Sequence, residues 1–142
     1  MNNKEQRNPY ETPKSTLVDG IKERLGKEEY KIYLSITQPK SLSDFIQYIQ
    51  HCYKELLRIG KTVYISIDAT IDDVDVPEKY IKDDNIVLDI SPKAIFNFIW
   101  LENAMTFTAT FKGKDKNIKV PFDSLLWIYS GEINTGYDLQ NL

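Results

Sequence analysis

The chain has 142 residues, 42% hydrophobic and 27% charged, which suits one globular domain with its own core and leaves little room for two. A formal net charge of −3 disfavours nonspecific nucleic-acid binding, because neutralising phosphates needs a basic surface. Cys52 is the only cysteine, so no intramolecular disulfide is expected, and no apolar run approaches the ~20 residues that span a bilayer; the expectation is a soluble cytoplasmic protein.

Residues 1–13 are polar, contain Pro9 and Pro13, lack the apolar segment of a secretory signal and read as a weakly attached segment. From Ser15 to Leu25, apolar Leu17, Val18, Ile21 and Leu25 recur at helical spacing, with Gly26 as a stop. Tyr30 to Ile36 alternates Ile32, Leu34 and Ile36 with other residues and reads as a short strand, broken at Pro39. A firmer helix follows. Ser41 or Ser43 can cap it, Asp44 suits its first turn, and Phe45, Ile49, Cys52 and Leu56 form an apolar stripe widened by Tyr48, Tyr53 and Leu57. Gly60 is expected to end it in the left-handed conformation.

The hydrophobic period then changes to two. Val63, Ile65, Ile67 and Ala69 alternate with Tyr64, Ser66 and Asp68, predicting a strand with one face inward. Ile86 to Ile90 and Ala94 to Trp100 read as strands separated by a Ser91-Pro92 turn. Met105, Phe107, Ala109 and Phe111 alternate with Thr106, Thr108 and Thr110, a regular strand signature. Lys112 to Asn117 reads as a charged hairpin containing Gly113, with Ile118 and Val120 on its second arm. Phe122 to Tyr129 is compatible with a helix or a strand. These elements predict a mainly β fold with N-terminal helices, a small open β-barrel or sandwich with the long helix packed on it or against a partner.

No convergent set of nucleophile, base and oxyanion donors is present, so an enzyme is not expected. Asp68, Asp72, Asp73 and Asp75 lack the glycine-centred spacing and terminal glutamate of a calcium loop and read as a solvated loop, so no metal or other cofactor is expected. His51, the lone histidine, has no acid–base partner in the sequence, and Cys52 reads as a small buried hydrophobe. Trp100, Trp127 and the nine tyrosines sit mostly in apolar runs without interleaved basic residues, which favours core packing over base stacking. Ala109, a small residue between Phe107 and Phe111, suits holding an extended peptide. Asn97 is the odd polar residue within an apolar run: it either faces solvent, bonds a loop or pairs with a bound chain.

Several segments resemble one family. Val63 to Thr70 (VYISIDAT), Val76 to Asn97 (VPEKYIKDDNIVLDISPKAIFN), Phe107 to Gly113 (FTATFKG) and Val120 to Glu132 (VPFDSLLWIYSGE) are similar in pattern and spacing to the stringent starvation protein B (SspB) family. That family consists of adaptors that recognise ssrA-tagged proteins for the ClpXP protease. The resemblance begins near Phe45, is strongest from Val74 onward and covers roughly two-thirds of the chain.

It implies an extended ssrA-tag peptide bound along the Phe107, Ala109, Phe111 strand, with Ala109 leaving room for the peptide and Asn97 and Ile67 close by. It also implies a homodimer built through the long helix by Phe45, Ile49, Cys52 and Leu56, with no membrane association. The corresponding organisation is an N-terminal extension over residues 1–40, a tag-binding domain over 41–137 and a short tail over 138–142. The family's partners are ssrA-tagged polypeptides and the ClpX unfoldase, although no ClpX-docking motif is found in this sequence. The reading from a different class is an RNA-binding small β-barrel, because small open barrels commonly serve that role.

Overall fold

Ser41 starts the longest described helix, α1 (Leu42–Ile59). Its hydroxyl accepts the Asp44 amide at 3.1 Å, satisfying one of the first-turn N–H groups that have no helical partner. The computed structural model describes residues 8–13, 15–16, 24–29, 32 and 41–140. Gly60 ends α1 in an extended conformation, φ −145°, while its amide still reaches the Leu56 carbonyl. The expected left-handed stop is therefore absent. A Cβ there would lie 2.9 Å from the Ser130 hydroxyl and 3.0 Å from a Glu132 carboxylate oxygen, so a larger residue would have to displace these two side-chain oxygens.

The strands are β1 (Ser15–Thr16), β2 (Val63–Asp68), β3 (Asn85–Asp89), β4 (Ile95–Trp100), β5 (Ala104–Phe111), β6 (Lys114–Pro121), β7 (Leu125–Ser130) and β8 (Thr135–Asp138). They form a five-stranded sheet in the order β1-β8-β7-β2-β3 and a three-stranded sheet in the order β4-β5-β6. The architecture is a mainly β open sandwich with one long helix, and among the described residues neither sheet closes into a barrel. The alternation seen in the sequence has the expected consequence: Val63, Ile65 and Ile67 are fully buried while Tyr64, Ser66 and Asp68 are half-buried. Ile65 lies opposite Leu88 and Ile128, and Ile128 opposite Tyr137, so one face of the larger sheet is apolar across four strands. The α1 stripe packs on it, with Tyr48 edge-on to Tyr137 at 6.0 Å. The N-terminal end of α1 meets Phe122, just past the end of β6, through Phe45, the two rings 5.8 Å apart.

The turns follow from local chemistry. Phe111 pairs with Lys114, so the β5–β6 loop is only Lys112-Gly113, both at positive φ (50° and 80°), as a type I′ hairpin requires. The charged stretch expected to be a longer hairpin loop is instead mostly strand β6. Asp83 and Asp84, at φ 52° and 64°, make a second two-residue turn between the paired Lys82 and Asn85. The two Val-Pro steps play one role: Pro77 and Pro121 each precede a single 3-10 turn, Glu78–Tyr80 and Phe122–Ser124. The undecided segment from Phe122 thus begins as that turn and continues as β7.

The N-terminal region differs from expectation. Ser15–Thr16 is not the start of a helix but a strand pairing in parallel with Thr135 and Gly136. Residue 24 is helical, Leu25 is already a bend, and Ile32 is helical where a strand was expected; the remainder of both expected elements lies outside the described residues. Nor are residues 8–13 weakly attached. Pro13 is buried, the Tyr129 hydroxyl donates to the Pro9 carbonyl, and the Tyr10 hydroxyl donates to the Tyr80 carbonyl at 2.8 Å. No described helix is long and apolar enough to cross a membrane.

Candidate functional site

The inward face of the smaller sheet is set by its register. Ala109 lies between Ile95 on β4 and Lys116 on β6, Phe107 pairs with Ile118, and Phe111 with Lys114. Rings flank Ala109 along this face. On one side Phe98 stacks on Phe107 (5.8 Å, 1°), meets Trp100 at 5.0 Å, and Trp100 tilts against Phe122 at 6.1 Å. On the other side Tyr80 stacks on Phe111 (5.2 Å, 29°), with the Lys79 ammonium 5.3 Å from the Tyr80 ring. Ala109 is the one small side chain in this row.

The residues singled out in the sequence have different environments. Phe107 and Ile67 are 2% and 0% exposed; both are core and present no surface to a ligand. Ala109 is 7% exposed and belongs to the same cluster, whereas Phe111 is half-buried at its edge. Asn97 is exposed, with φ 55°. Its place is explained by the backbone: the β4–β5 register shifts between Phe96 and Ile99, a bulge that requires a left-handed residue, and asparagine tolerates that conformation better than other non-glycine residues. Through the bulge Phe98 turns inward onto Phe107, while Phe96 and Ile99, 47% and 54% exposed, face outward. Tyr80, Ile95 and Phe98 complete the row although the sequence had not marked them as site residues. Tyr80 was visible in the Val-Pro-x-x-Tyr pattern, but no periodicity indicates which ring it would stack on.

Of the stripe expected at a dimer interface, Ile49, Cys52 and Leu56 are 1%, 0% and 0% exposed within a single chain, packed in its own core. Phe45 is half-buried against Phe122. Burial pushes the Cys52 thiol up to about 12, against a smaller opposing effect of a Tyr48 bond, which leaves it an inert core group.

The acidic residues serve separate purposes. Asp68 accepts both the amide and the hydroxyl of Thr70 (2.9 and 2.6 Å), and these bonds hold its carboxyl below the usual carboxylate value. Asp75 exchanges backbone bonds with Lys119 at 3.0 Å and pairs with the Lys116 ammonium at 3.4 Å. Asp72, Asp73 and Asp123 border an open cleft of about 500 Å³ beside Leu42 and Phe122, at the start of α1. Among the described residues no cluster of His, Cys, Asp or Glu has a metal-binding arrangement.

Comparison with known proteins gives these observations a context. A Haemophilus influenzae protein described as a stringent starvation protein B homolog is 37% identical over 84 residues, which is 59% of this chain and 56% of that protein. The chain therefore matches little more than half the length of this curated relative. A family model described as stringent starvation protein B matches residues 39–142, a stretch that holds α1, β2 to β8 and the whole ring-flanked row around Ala109. On that match the chain belongs to the SspB family.

Proposed function

We propose that this chain is a non-enzymatic adaptor that binds the ssrA degradation tag as an extended peptide and promotes delivery of tagged proteins to the ClpXP protease. The supporting observation is the ring-flanked Ala109, one strand in from β4, which among the described residues pairs only with β5, at one edge of the smaller sheet. An extended peptide beside such an edge satisfies its backbone with sheet-like bonds while alternate side chains are read by the gaps between rings. Family membership supports an SspB-like role for this chain. ClpX is the proposed partner in delivery, and the cytoplasm the proposed compartment.

The chain is also proposed to form a homodimer. With Ile49, Cys52 and Leu56 in the core, the apolar surface left to a partner copy is the flank of α1 carrying Ile46 and Leu57, both half-buried. An isologous contact would pair this flank with its own copy.

Titration of a labelled ssrA peptide and a scrambled control, with amide chemical shifts recorded on the full chain, tests the binding reading. Saturable, sequence-dependent binding with shifts centred on Ile95, Ala109 and Phe111 is expected. Equal binding of the scrambled control, or shifts confined to the opposite sheet, would overturn it. Shift mapping is a cleaner test than enlarging Ala109, because a larger side chain at a site only 7% exposed overpacks the core by about 1–3 kcal/mol whatever the function.

A further inference from the structure

The segment before α1 reaches the proposed groove. Asn8 folds residues 8–11 into a turn: its side chain accepts the Tyr10 amide at 3.0 Å and its carbonyl accepts the Glu11 amide at 3.1 Å. Asn-Pro at the first two positions is a sequence made for this turn, since proline fixes φ and asparagine bonds the backbone two residues on. The turn is tied down in two directions. Its Pro9 carbonyl takes the Tyr129 hydroxyl on β7. Its Tyr10 hydroxyl takes hold of the Tyr80 carbonyl at 2.8 Å, with the Lys82 ammonium 5.5 Å from the Tyr10 ring. A few residues later, β1 adds itself to the β8 edge. The arm therefore spans from the β8 edge, past β7, to the 3-10 turn whose Tyr80 ring stacks on Phe111. All of it lies outside the family match at residues 39–142.

We propose that this turn is a clasp for the peptide groove: by holding the Tyr80 backbone, Tyr10 keeps the Tyr80 ring on Phe111 and so keeps the wall beside Ala109 in its binding form. The proposal rests on the peptide-binding reading above. Tyr10 is a positioning residue, acting through Tyr80. It lowers the ordering cost that the peptide would otherwise meet. By linkage, a clasp that favours the peptide must itself be favoured by the peptide.

Two measurements on the full chain test this, both with the labelled ssrA peptide as probe. The dissociation constant is compared among the unmodified chain, Tyr10→Phe, which removes only the hydroxyl, and Tyr10→Ala. Loss of one hydrogen bond corresponds to about three- to fivefold weaker binding for Tyr10→Phe, and Tyr10→Ala is expected to be weaker still, with Tyr10→Phe still folding cooperatively and its melt lowered by only a few degrees. Hydrogen exchange then reads the converse, and saturating peptide is expected to slow exchange at residues 8–13. A merely structural anchor would not produce this protection. Equal affinity in all three chains, tighter binding by Tyr10→Ala, or peptide-independent exchange at residues 8–13 overturns the clasp alone. An unmodified chain that binds no peptide overturns the reading of the groove itself and the clasp with it.

Discussion

Asn97 shows how a polar residue in an apolar run acquires a conformational purpose. The sequence left open whether its amide meets solvent, a loop or a bound chain; its positive φ at the β4 bulge makes the backbone the first reason for its identity. Replacing it with alanine puts a Cβ-bearing residue without a helpful side chain into the left-handed region, which costs about 1 kcal/mol. Asn97→Gly is expected to be nearly neutral, because glycine adopts this φ freely but is more flexible in the unfolded chain. Urea midpoints for the two variants check this, and equal losses would mean that the side chain, and not the φ, is what the bulge requires. Beside it, Ala109 carries the opposite kind of information. Its size was legible in the sequence, but whether it faced a ligand or the core was not, and its place among Ile95, Lys116 and the flanking rings emerged only from the register.

The α1 helix makes the same point for an element. Its existence, its Ser41 cap and its apolar stripe follow from residue types and a period of 3.6. What faces that stripe does not, because a stripe destined for the chain's own sheet and one destined for a second copy have the same spacing. Adjacent residues separate the two roles: Leu56 is fully buried in the chain, whereas Leu57 is half-buried on the flank. Leu56→Glu is expected to unfold the chain, since it buries an unpaired carboxylate. Leu57→Glu is expected to leave a folded chain that scatters light as a monomer where the unmodified protein scatters as a dimer. A folded Leu56→Glu chain would contradict the packing, and a dimeric Leu57→Glu chain would contradict the proposed flank. The strands divide along similar lines. Period-two patterns marked β2 and β5 well, whereas β8 (Thr135–Asp138) is short, holds Gly136 and Asp138, and offers too few alternations to be seen. Gly136 is there for closeness: an added Cβ would lie 2.3 Å from the Tyr129 Cβ.

At the scale of the whole molecule, one carboxylate bonds to a segment some 70 residues away. Glu132, in the loop between β7 and β8, accepts the amides of Lys61 and Thr62 (3.1 and 2.9 Å) just ahead of β2, while the Gly131 amide donates to the Thr62 carbonyl at 2.8 Å. Partial burial pushes the Glu132 carboxyl up, but the bonds from Thr62 and Lys61 outweigh it, and the net position is below its ordinary value of 4.5. The direction fixes the sign of its pH dependence. A carboxyl whose value is lower in the folded than in the unfolded chain contributes stability that is fully present above 4.5 and is lost as pH falls through the folded value. Asp68 is shifted the same way by Thr70, so acid sensitivity of the unmodified protein alone does not isolate Glu132. The difference in melting temperature between the unmodified chain and Glu132→Gln does. It is expected to hold steady from neutral pH down to about pH 5 and then to close at more acid pH, because the protonated carboxyl and the amide are both neutral acceptors. A difference that stays constant to pH 3 would show that the charge of Glu132 contributes nothing to joining these two segments, and would leave the Gly131–Thr62 backbone bond and the β2–β7 pairing as the links between them.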